Sequence, residues 1–474
     1  MLLPMAPTDS LFLLGESREN PMHVGGLAIF TPPDGASATD MRAMFDIALT
    51  GGKVAEVFRK RARRSLTSLG QWGWETLADN EIDIEHHVRR DALPTPGGMT
   101  ELTALVSRLH GTLLDRSRPL WEMHLIEGLA DGRYAVYTKI HHALADGASA
   151  MRLLRESMSE DPHRRNMSAP WQVPHSLRSV PTPVAAQSSA QESDRTSLPR
   201  TLWGVSRAAV SEVAGLIPTT VRTMDRAVRG KGSAVSVTAP HTLFNVPIGG
   251  SRHIAARSFP VERIRLLAKH SDATINDVIL AMSAGTLRHY LYERDALPSA
   301  PLVAMVPVSL RANDNADDRT PGGNRVGLLM CNLATHLDDP TYRLEVIRHC
   351  MNEGKDALRA MTPAQVLAMS ALGIAPLGME MLVGQRGPQR PPFNIIISNI
   401  AGPRTPLYWN GFRLDTLHPL SIPTTGQALN ITCTSSDDQI SFGLTSCRRA
   451  VPDLSPLLDH LGTELELLEA GAGL

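Results

Sequence analysis

The residues best suited to chemistry are a histidine pair followed closely by an acid and a glycine. In chain order they are His141, His142, Ala143, Leu144, Ala145, Asp146 and Gly147. A neutral imidazole, with a usual pKa of about 6.5, can take a proton from a hydroxyl near neutral pH and return it to a leaving group. The segment therefore predicts a general base.

The elements on either side place this motif on a loop between a strand and a helix. Residues 134–140 are β-branched and aromatic enough to indicate a strand, and residues 148–154 indicate the following helix. Neighbouring side chains of a strand point to opposite faces, so we expect one histidine to face a substrate cavity and the other to face the protein. Asp146 either accepts hydrogen bonds within the loop or pairs with an arginine. Gly147 either adopts a conformation that a Cβ penalises or lets the helix pack closely.

Two other interpretations of the histidine pair compete with catalysis. A zinc site needs three or four converging ligands, and two adjacent histidines with one aspartate converge poorly, so we predict no metal. A purely structural histidine pair is the second alternative. The other such pair, His86 and His87, has no acid at the same spacing, and we interpret it as structural.

The His-His-x-x-x-Asp-Gly string resembles that of the coenzyme A-dependent acyltransferase superfamily, which includes chloramphenicol acetyltransferases and the condensation domains of peptide synthetases. Further segments are similar to the bacterial wax ester synthase/diacylglycerol acyltransferase family and occur in the family's order. These segments are residues 21–26, 119–122, 276–278, 307–311, 323–326 and 398–403. Six ordered matches make chance an unlikely source of the resemblance.

The resemblance implies a fold and an arrangement of substrates. The fold is α/β, with two chloramphenicol-acetyltransferase-like domains whose mixed sheets are flanked by helices. The active site is a tunnel at the interface of the domains, which acyl-CoA enters from one side and the lipid acceptor from the other. A cleft between domains is a common place for a ligand.

The resemblance also implies an activity and residue roles. A long-chain acyl group passes from acyl-CoA to the hydroxyl of diacylglycerol, giving triacylglycerol, and a long-chain alcohol is the alternative acceptor, giving wax ester. His142 is the general base for direct attack, Asp146 orients the loop, and His141 and Gly147 support the motif. Asn276 is a candidate oxyanion donor, although it could equally cap the helix that follows. No cofactor is implied, since acyl-CoA is a co-substrate.

Two alternative functions stay open at this level. One is a condensation-type acyltransferase that takes its acyl group from a carrier protein, and the other is a non-catalytic lipid-binding protein. The sequence has no Gly-x-Ser-x-Gly nucleophile elbow, which agrees with direct attack without an acyl-enzyme.

Composition and charge limit the partners. The chain has 47 basic and 48 acidic residues, a net charge of −1, and 4% aromatic residues, so we exclude nucleic acid as a partner. We interpret the basic run at residues 59–64 as a solvated helix face, a contact for anionic lipid headgroups or a contact for coenzyme A phosphates. Four cysteines without Cys-x-x-Cys spacing predict reduced, mostly buried thiols: Cys331, Cys350, Cys433 and Cys447. We expect a cytoplasmic protein, peripheral on the inner face of the plasma membrane or on lipid droplets.

The chain divides into three segments. Residues 1–160 form an N-terminal acyltransferase domain with the motif, residues 161–240 a Pro/Ser-rich linker with a bridging helix, and residues 241–474 a C-terminal acetyltransferase-like domain. In the last segment the patterns predict helices at 261–271 and 277–293. They predict strands at 302–308, 326–334, 393–400, 428–435 and 439–446. Residues 364–383 are apolar and fit a tunnel-lining helix pair or a segment that dips into a membrane surface.

Overall fold

The computed structural model describes residues 2–64, 71–173, 239–309, 326–362, 365–366, 369 and 391–474. The strands are β1 Leu2–Pro4, β2 His23–Thr31, β3 Lys60–Arg64, β4 Trp72–Thr76, β5 Val88–Ala92, β6 Trp121–Glu127, β7 Tyr134–His141, β8 Arg252–Pro260, β9 Val303–Ser309, β10 Val326–Asn332, β11 Ile395–Ile400, β12 Tyr408–Trp409, β13 Phe412–Leu420, β14 Leu429–Ser436 and β15 Gln439–Cys447. The helices are α1 Pro7–Gly15, α2 Ala38–Thr50, α3 Ile84–His87, α4 Met99–His110, α5 Gly147–Glu156, α6 Val261–His270, α7 Ile275–Tyr292, α8 Pro340–Arg359 and α9 Ser455–Ala472.

The first large sheet carries the histidine motif. Its strand order is β12-β13-β2-β7-β6-β5, with β5 parallel to β6 and the other pairs antiparallel. The register pairs His23 of β2 with His141 of β7, so the motif leaves the sheet beside the start of β2. Strands β12 and β13, which lie beyond residue 400 in the chain, complete this sheet. The division of the sequence at residues 160 and 240 assigned them to the C-terminal domain, so it did not predict that they cross over to the first sheet.

The second large sheet has the order β10-β9-β11-β14-β15-β8, with β11 parallel to both of its neighbours. Its helices α6 to α9 share one apolar core with the sheet, including Ile264, Leu287, Ile347 and Leu461. The two halves meet where β8 approaches α4, since the Ile254 backbone N–H donates to Ser107 Oγ at 3.0 Å.

The helices and strands predicted after residue 241 are present with shifts of one to a few residues at their ends. The basic run does not lie on a helix face, so that prediction was wrong. A short 3-10 turn, Glu56–Arg59, leads into β3, which joins a three-stranded sheet of order β1-β4-β3. Ala62 is the one buried residue of β3, while Arg63 and Arg64 are exposed, and the strand lies at the edge of its sheet, where arginine side chains can reach solvent.

Other predictions concern thiols and membrane segments. All four cysteines are free and buried, as predicted. Within the described ranges, none of the helices combines the length and the apolar composition needed to span a bilayer. Most of the linker and bridging helix, almost all of the apolar stretch at 364–383, and the segment 310–325 lie outside the described residues.

Candidate active site

The loop from His142 to Asp146 joins β7 to α5, as the sequence predicted. The His142 backbone N–H donates to the Met22 carbonyl at 2.9 Å, which pins the first residue of the loop to the chain entering β2. The Leu144 and Ala145 N–H groups donate to the His141 carbonyl, at 2.8 Å and 3.2 Å, and tighten the turn. Backbone contacts on both sides therefore fix where His142 lies.

The His142 ring is half-buried and lies against Phe12 of α1, with ring centroids 4.1 Å apart and an interplanar angle of 20°. Burial lowers the pKa of His142 below its usual 6.5, while the negative charge of Asp146 and a hydrogen bond from the ring to the residue's own backbone oppose that shift. The imidazole is consequently neutral at pH 7, the form that can accept a proton.

His141 faces the protein interior and is fully buried. Its Nδ1 accepts from the Ala143 backbone N–H at 3.1 Å, so in the neutral ring the proton is on Nε2. His141 Nε2 lies 3.3 Å from Glu16 Oε1. The pair thus divides as the strand geometry requires, with His141 held by the interior and the His142 ring packed against Phe12.

Asp146 is the N-cap of α5, and its Oδ1 accepts from the Ser149 backbone N–H at 2.7 Å. This contact is the first of the two roles that the sequence left open. For Gly147 the structure favours close packing, the second of the two roles left open, because a Cβ there would lie 2.6 Å from Ile400 Cδ1 of β11. The motif is therefore also a contact between the first sheet and the second.

Asn276 is the second residue of α7, in the other half of the fold, and its side chain is half-buried. The alternative in which Asn276 caps this helix is wrong, because Thr274 is the N-cap. Thr274 Oγ1 accepts from the Asp277 N–H at 3.2 Å, and Asp277 Oδ2 accepts from the Thr274 N–H at 2.9 Å. Among the described residues no hydrogen bond engages the Asn276 side chain, and its role as an oxyanion donor stays a prediction.

The structure adds contacts to which the sequence reasoning gave no role: those of the Phe12, Glu16 and Arg116 side chains and of the Met22 backbone. All but Arg116 lie more than 100 residues from the motif in the chain. Met22 falls in the segment 21–26 that resembles the family, and for the other three the one available signal is the acid Glu16 directly after the apolar α1.

His87 packs against Trp121 in the interior, which agrees with the structural role that the sequence indicated for the His86–His87 pair. The Trp121 indole N–H donates to the Phe58 carbonyl at 2.8 Å, and its ring stacks on His87 at 4.6 Å. Burial lowers the pKa of His87 to about 4, so this imidazole stays neutral while it donates to the Trp121 carbonyl. Within the part of the chain that is described, no group of three or more His, Cys, Asp or Glu residues could hold a metal ion.

Comparisons with known proteins show the family of the chain. The family model for the wax ester synthase/diacylglycerol acyltransferase catalytic domain matches residues 5–279, and the family's C-terminal domain matches residues 322–469. A protein of Mycobacterium tuberculosis (strain ATCC 25618 / H37Rv), provisionally named a diacylglycerol O-acyltransferase, is 50% identical over 480 residues, covering 100% of this chain and 93% of the relative. A second protein of that strain, also named as a diacylglycerol O-acyltransferase, is 45% identical over 470 residues, 99% of each chain.

Solved structures show the same fold. The wax ester synthase/diacylglycerol acyltransferase from Marinobacter aquaeolei VT8 matches with a TM-score of 0.78 and 38% identity, covering 100% of both chains. The first condensation domain of the calcium-dependent antibiotic synthetase matches with a TM-score of 0.60 and 16% identity over 100% of this chain and 96% of that one, a likeness of fold alone. These matches confirm the predicted fold class. With both family models and close relatives aligned along its length, the chain belongs to the wax ester synthase/diacylglycerol acyltransferase family.

Proposed function

We propose that the chain transfers a long-chain acyl group from acyl-CoA to the hydroxyl of diacylglycerol, giving triacylglycerol and free coenzyme A. A long-chain alcohol is the second acceptor, giving wax ester. The observation that carries the proposal is that His142 is a neutral imidazole in a loop held by backbone hydrogen bonds. The chain that contains this loop belongs to the wax ester synthase/diacylglycerol acyltransferase family.

The reaction needs one base and a site for the developing negative charge. His142 takes the proton of the acceptor hydroxyl, and the acceptor oxygen attacks the thioester carbonyl carbon. The tetrahedral intermediate collapses with loss of the thiolate of coenzyme A, which takes the proton back from the imidazolium. Such a base contributes about 10²- to 10⁴-fold in rate. The rest comes from positioning and from donors to the oxyanion, for which Asn276 is our candidate.

The test measures thiol release by the purified chain from oleoyl-CoA with and without dioleoylglycerol or hexadecanol. We expect release only when an acceptor is present. Radiolabelled acyl-CoA with chromatography then separates triacylglycerol from wax ester. Activity that survives in His142→Ala would overturn the proposed base, and recovery of a covalent acyl adduct on the protein would overturn direct attack.

The two alternatives give different outcomes in the same assay. A condensation-type enzyme transfers from an acylated carrier protein and not from acyl-CoA, and the likeness to condensation domains favours no more than their fold. A non-catalytic lipid-binding protein binds lipid equally well with and without the His142 side chain and turns over in neither form.

We also propose that α1 contacts a lipid surface, which would bring the acceptor to the site. Leu11 and Leu14 lie on one face of this helix and are 59% and 47% exposed, while Phe12 of the same helix contacts His142. Arg64 of β3 stacks over Trp72 at 4.6 Å, and Arg116 lies over the same ring and donates to the Leu13 carbonyl. Exposed leucines beside arginines and a tryptophan suit the interface of an anionic membrane.

Flotation with phosphatidylserine-containing vesicles tests this contact. We expect Leu11→Ser/Leu14→Ser to weaken vesicle binding, whereas Ile47→Ser, which alters a 72% exposed side chain on α2, serves as the matched control. Equal loss in both variants, or none in the double variant, contradicts the assignment to α1.

A further inference from the structure

We infer that Glu16 is the positioning residue of the His142 imidazole, an inference that rests on the proposed role of His142 as the base. Glu16 follows α1 directly, and its side chain is only 2% exposed. A carboxylate in such a place is costly unless several donors surround it. The donors that surround Glu16 lead to His142 by three routes.

The first route runs through the backbone of Met22. The Met22 N–H donates to Glu16 Oε1 at 3.2 Å, and the carbonyl of the same residue accepts from the His142 N–H at 2.9 Å. Glu16 therefore holds the backbone of Met22, which in turn holds the backbone of His142. A displaced carboxylate would shift Met22, and His142 would shift with it.

The second route runs through His141. Glu16 Oε1 lies 3.3 Å from His141 Nε2, while the opposite nitrogen of that ring accepts from Ala143. The backbone donor on Nδ1 selects the tautomer with its proton on Nε2, and the carboxylate beside Nε2 favours the same ring orientation. This fixes the end of β7 from which the His142 side chain projects.

The third route runs through Arg116 and α1. The Arg116 Nε donates to Glu16 Oε2 at 2.8 Å, and its Nη2 donates to the Leu13 carbonyl at 2.8 Å. Leu13 is the neighbour of Phe12, whose ring lies against the His142 ring. The Glu16 carboxylate thus contacts groups that position both the backbone of His142 and the Phe12 ring packed on its imidazole.

The charge of Glu16 is the form that these contacts need. Burial raises the pKa of Glu16, but hydrogen bonds and charge from His141 and Arg116 outweigh it and hold the pKa below its usual value. At pH 7 the Glu16 side chain is therefore ionised while His142 is neutral. A simple structural ion pair would also be ionised, so the test must separate positioning from stability.

The experiment compares Glu16→Gln and Glu16→Asp in the full chain by steady-state kinetics with oleoyl-CoA and dioleoylglycerol, together with thermal unfolding. Gln keeps the length of the side chain and removes its charge. Asp keeps the charge and can pair with Arg116, but it is one methylene too short to keep all three contacts. We expect kcat to fall about 10²-fold in both variants, the size expected for a misplacement of about 1 Å, with KM for oleoyl-CoA little changed.

Glu464→Gln is the matched control, because Glu464 is fully buried and lies 2.6 Å from Arg343 in the second half of the fold. It should lower the unfolding temperature, as Glu16→Gln does, and leave kcat of the folded protein unchanged. If Glu16→Asp restores both the unfolding temperature and kcat, Glu16 is only a structural ion pair and the inference fails.

A double-mutant cycle separates this inference from the proposed function. If Glu16 acts through His141, Glu16→Gln combined with His141→Gln should lower kcat little more than the worse single change. Additive losses contradict the route through His141. His142→Ala is measured alongside. Activity retained in His142→Ala would contradict the proposed base itself. An inactive His142→Ala together with a fully active Glu16→Gln would contradict only the positioning role of Glu16. If Glu16→Gln does not fold, kcat of Glu16→Asp and of His141→Gln still tests the positioning role.

Discussion

Phe12 and His142 form a nearly parallel stack, with ring centroids 4.1 Å apart. Phe12 covers one face of the imidazole and keeps water from it, so it contributes to the burial that lowers the pKa of His142. We therefore expect a side chain of the first helix to influence the pKa of an imidazole more than a hundred residues later in the chain.

Replacing Phe12 should change how activity depends on pH. Because burial lowers the pKa of His142 below 6.5, the acid limb of kcat/KM in the parent protein should lie below pH 6.5. Phe12→Ala hydrates the ring, raises this pKa toward its usual value and moves the acid limb to higher pH. Phe12→Tyr keeps an aromatic ring in place and serves as the control. An acid limb that is the same in all three proteins would show that the stack does not set the pKa.

Asp146→Asn should move the acid limb in the opposite direction. The charge of Asp146 raises the pKa of His142, so removing that charge lowers the pKa and extends activity to lower pH. The amide oxygen of Asn can still accept from the Ser149 N–H, so the cap of α5 is kept. Asp146→Ala loses charge and cap together and should in addition lower the free energy of unfolding by about 1 kcal/mol. A shift toward higher pH in Asp146→Asn contradicts the electrostatic role.

Gly147→Ala should strain the contact between the two sheets. The new Cβ would lie 2.6 Å from Ile400 Cδ1, the flexible end of a side chain that can give way in part. We expect a loss of about 1 kcal/mol in the free energy of unfolding, at the low end for overpacking. Ile400→Val removes Cδ1, so the double variant should recover most of the loss, which chemical denaturation can measure. Additive destabilisation in the double variant would mean that the glycine serves another purpose.

The sequence predicted what depends on local pattern, and long-range contacts account for what it missed. The β7–loop–α5 arrangement follows from a β-branched run, an N-capping aspartate and a helical segment that adjoin in the chain. Glu16 and Phe12 reach the motif only because β2 pairs with β7, which brings residues near position 20 beside His141. No local pattern reports that pairing. The crossover of β13 into the first sheet was missed for the same reason.

The basic run and Asn276 show how a local pattern can also be misread. Residues 59–64 have no apolar period that would indicate a strand. In the structure β3 pairs with β4, and Arg61 and Arg63 both reach Glu75 of β4, at 2.6 Å and 2.8 Å. At α7 the capping signal was present in the sequence, since Thr274 precedes Asp277 by three residues. Recognising Thr274 and Asp277 as a capping box would have excluded Asn276 as the N-cap of α7.

Asn276→Ala tests the oxyanion assignment without disturbing the start of α7, because Thr274 and Asp277 cap that helix. If the Asn276 amide donates to the oxyanion, its loss should lower kcat about 10²- to 10³-fold and leave the unfolding temperature nearly unchanged. Thr274→Ala is the matched control, since it removes the cap, lowers the free energy of unfolding by about 1 kcal/mol and should leave kcat as it is. Rates are compared with saturating oleoyl-CoA, so that weaker substrate binding does not enter. A normal kcat in Asn276→Ala would assign the oxyanion to other donors and leave the proposed role of His142 untouched.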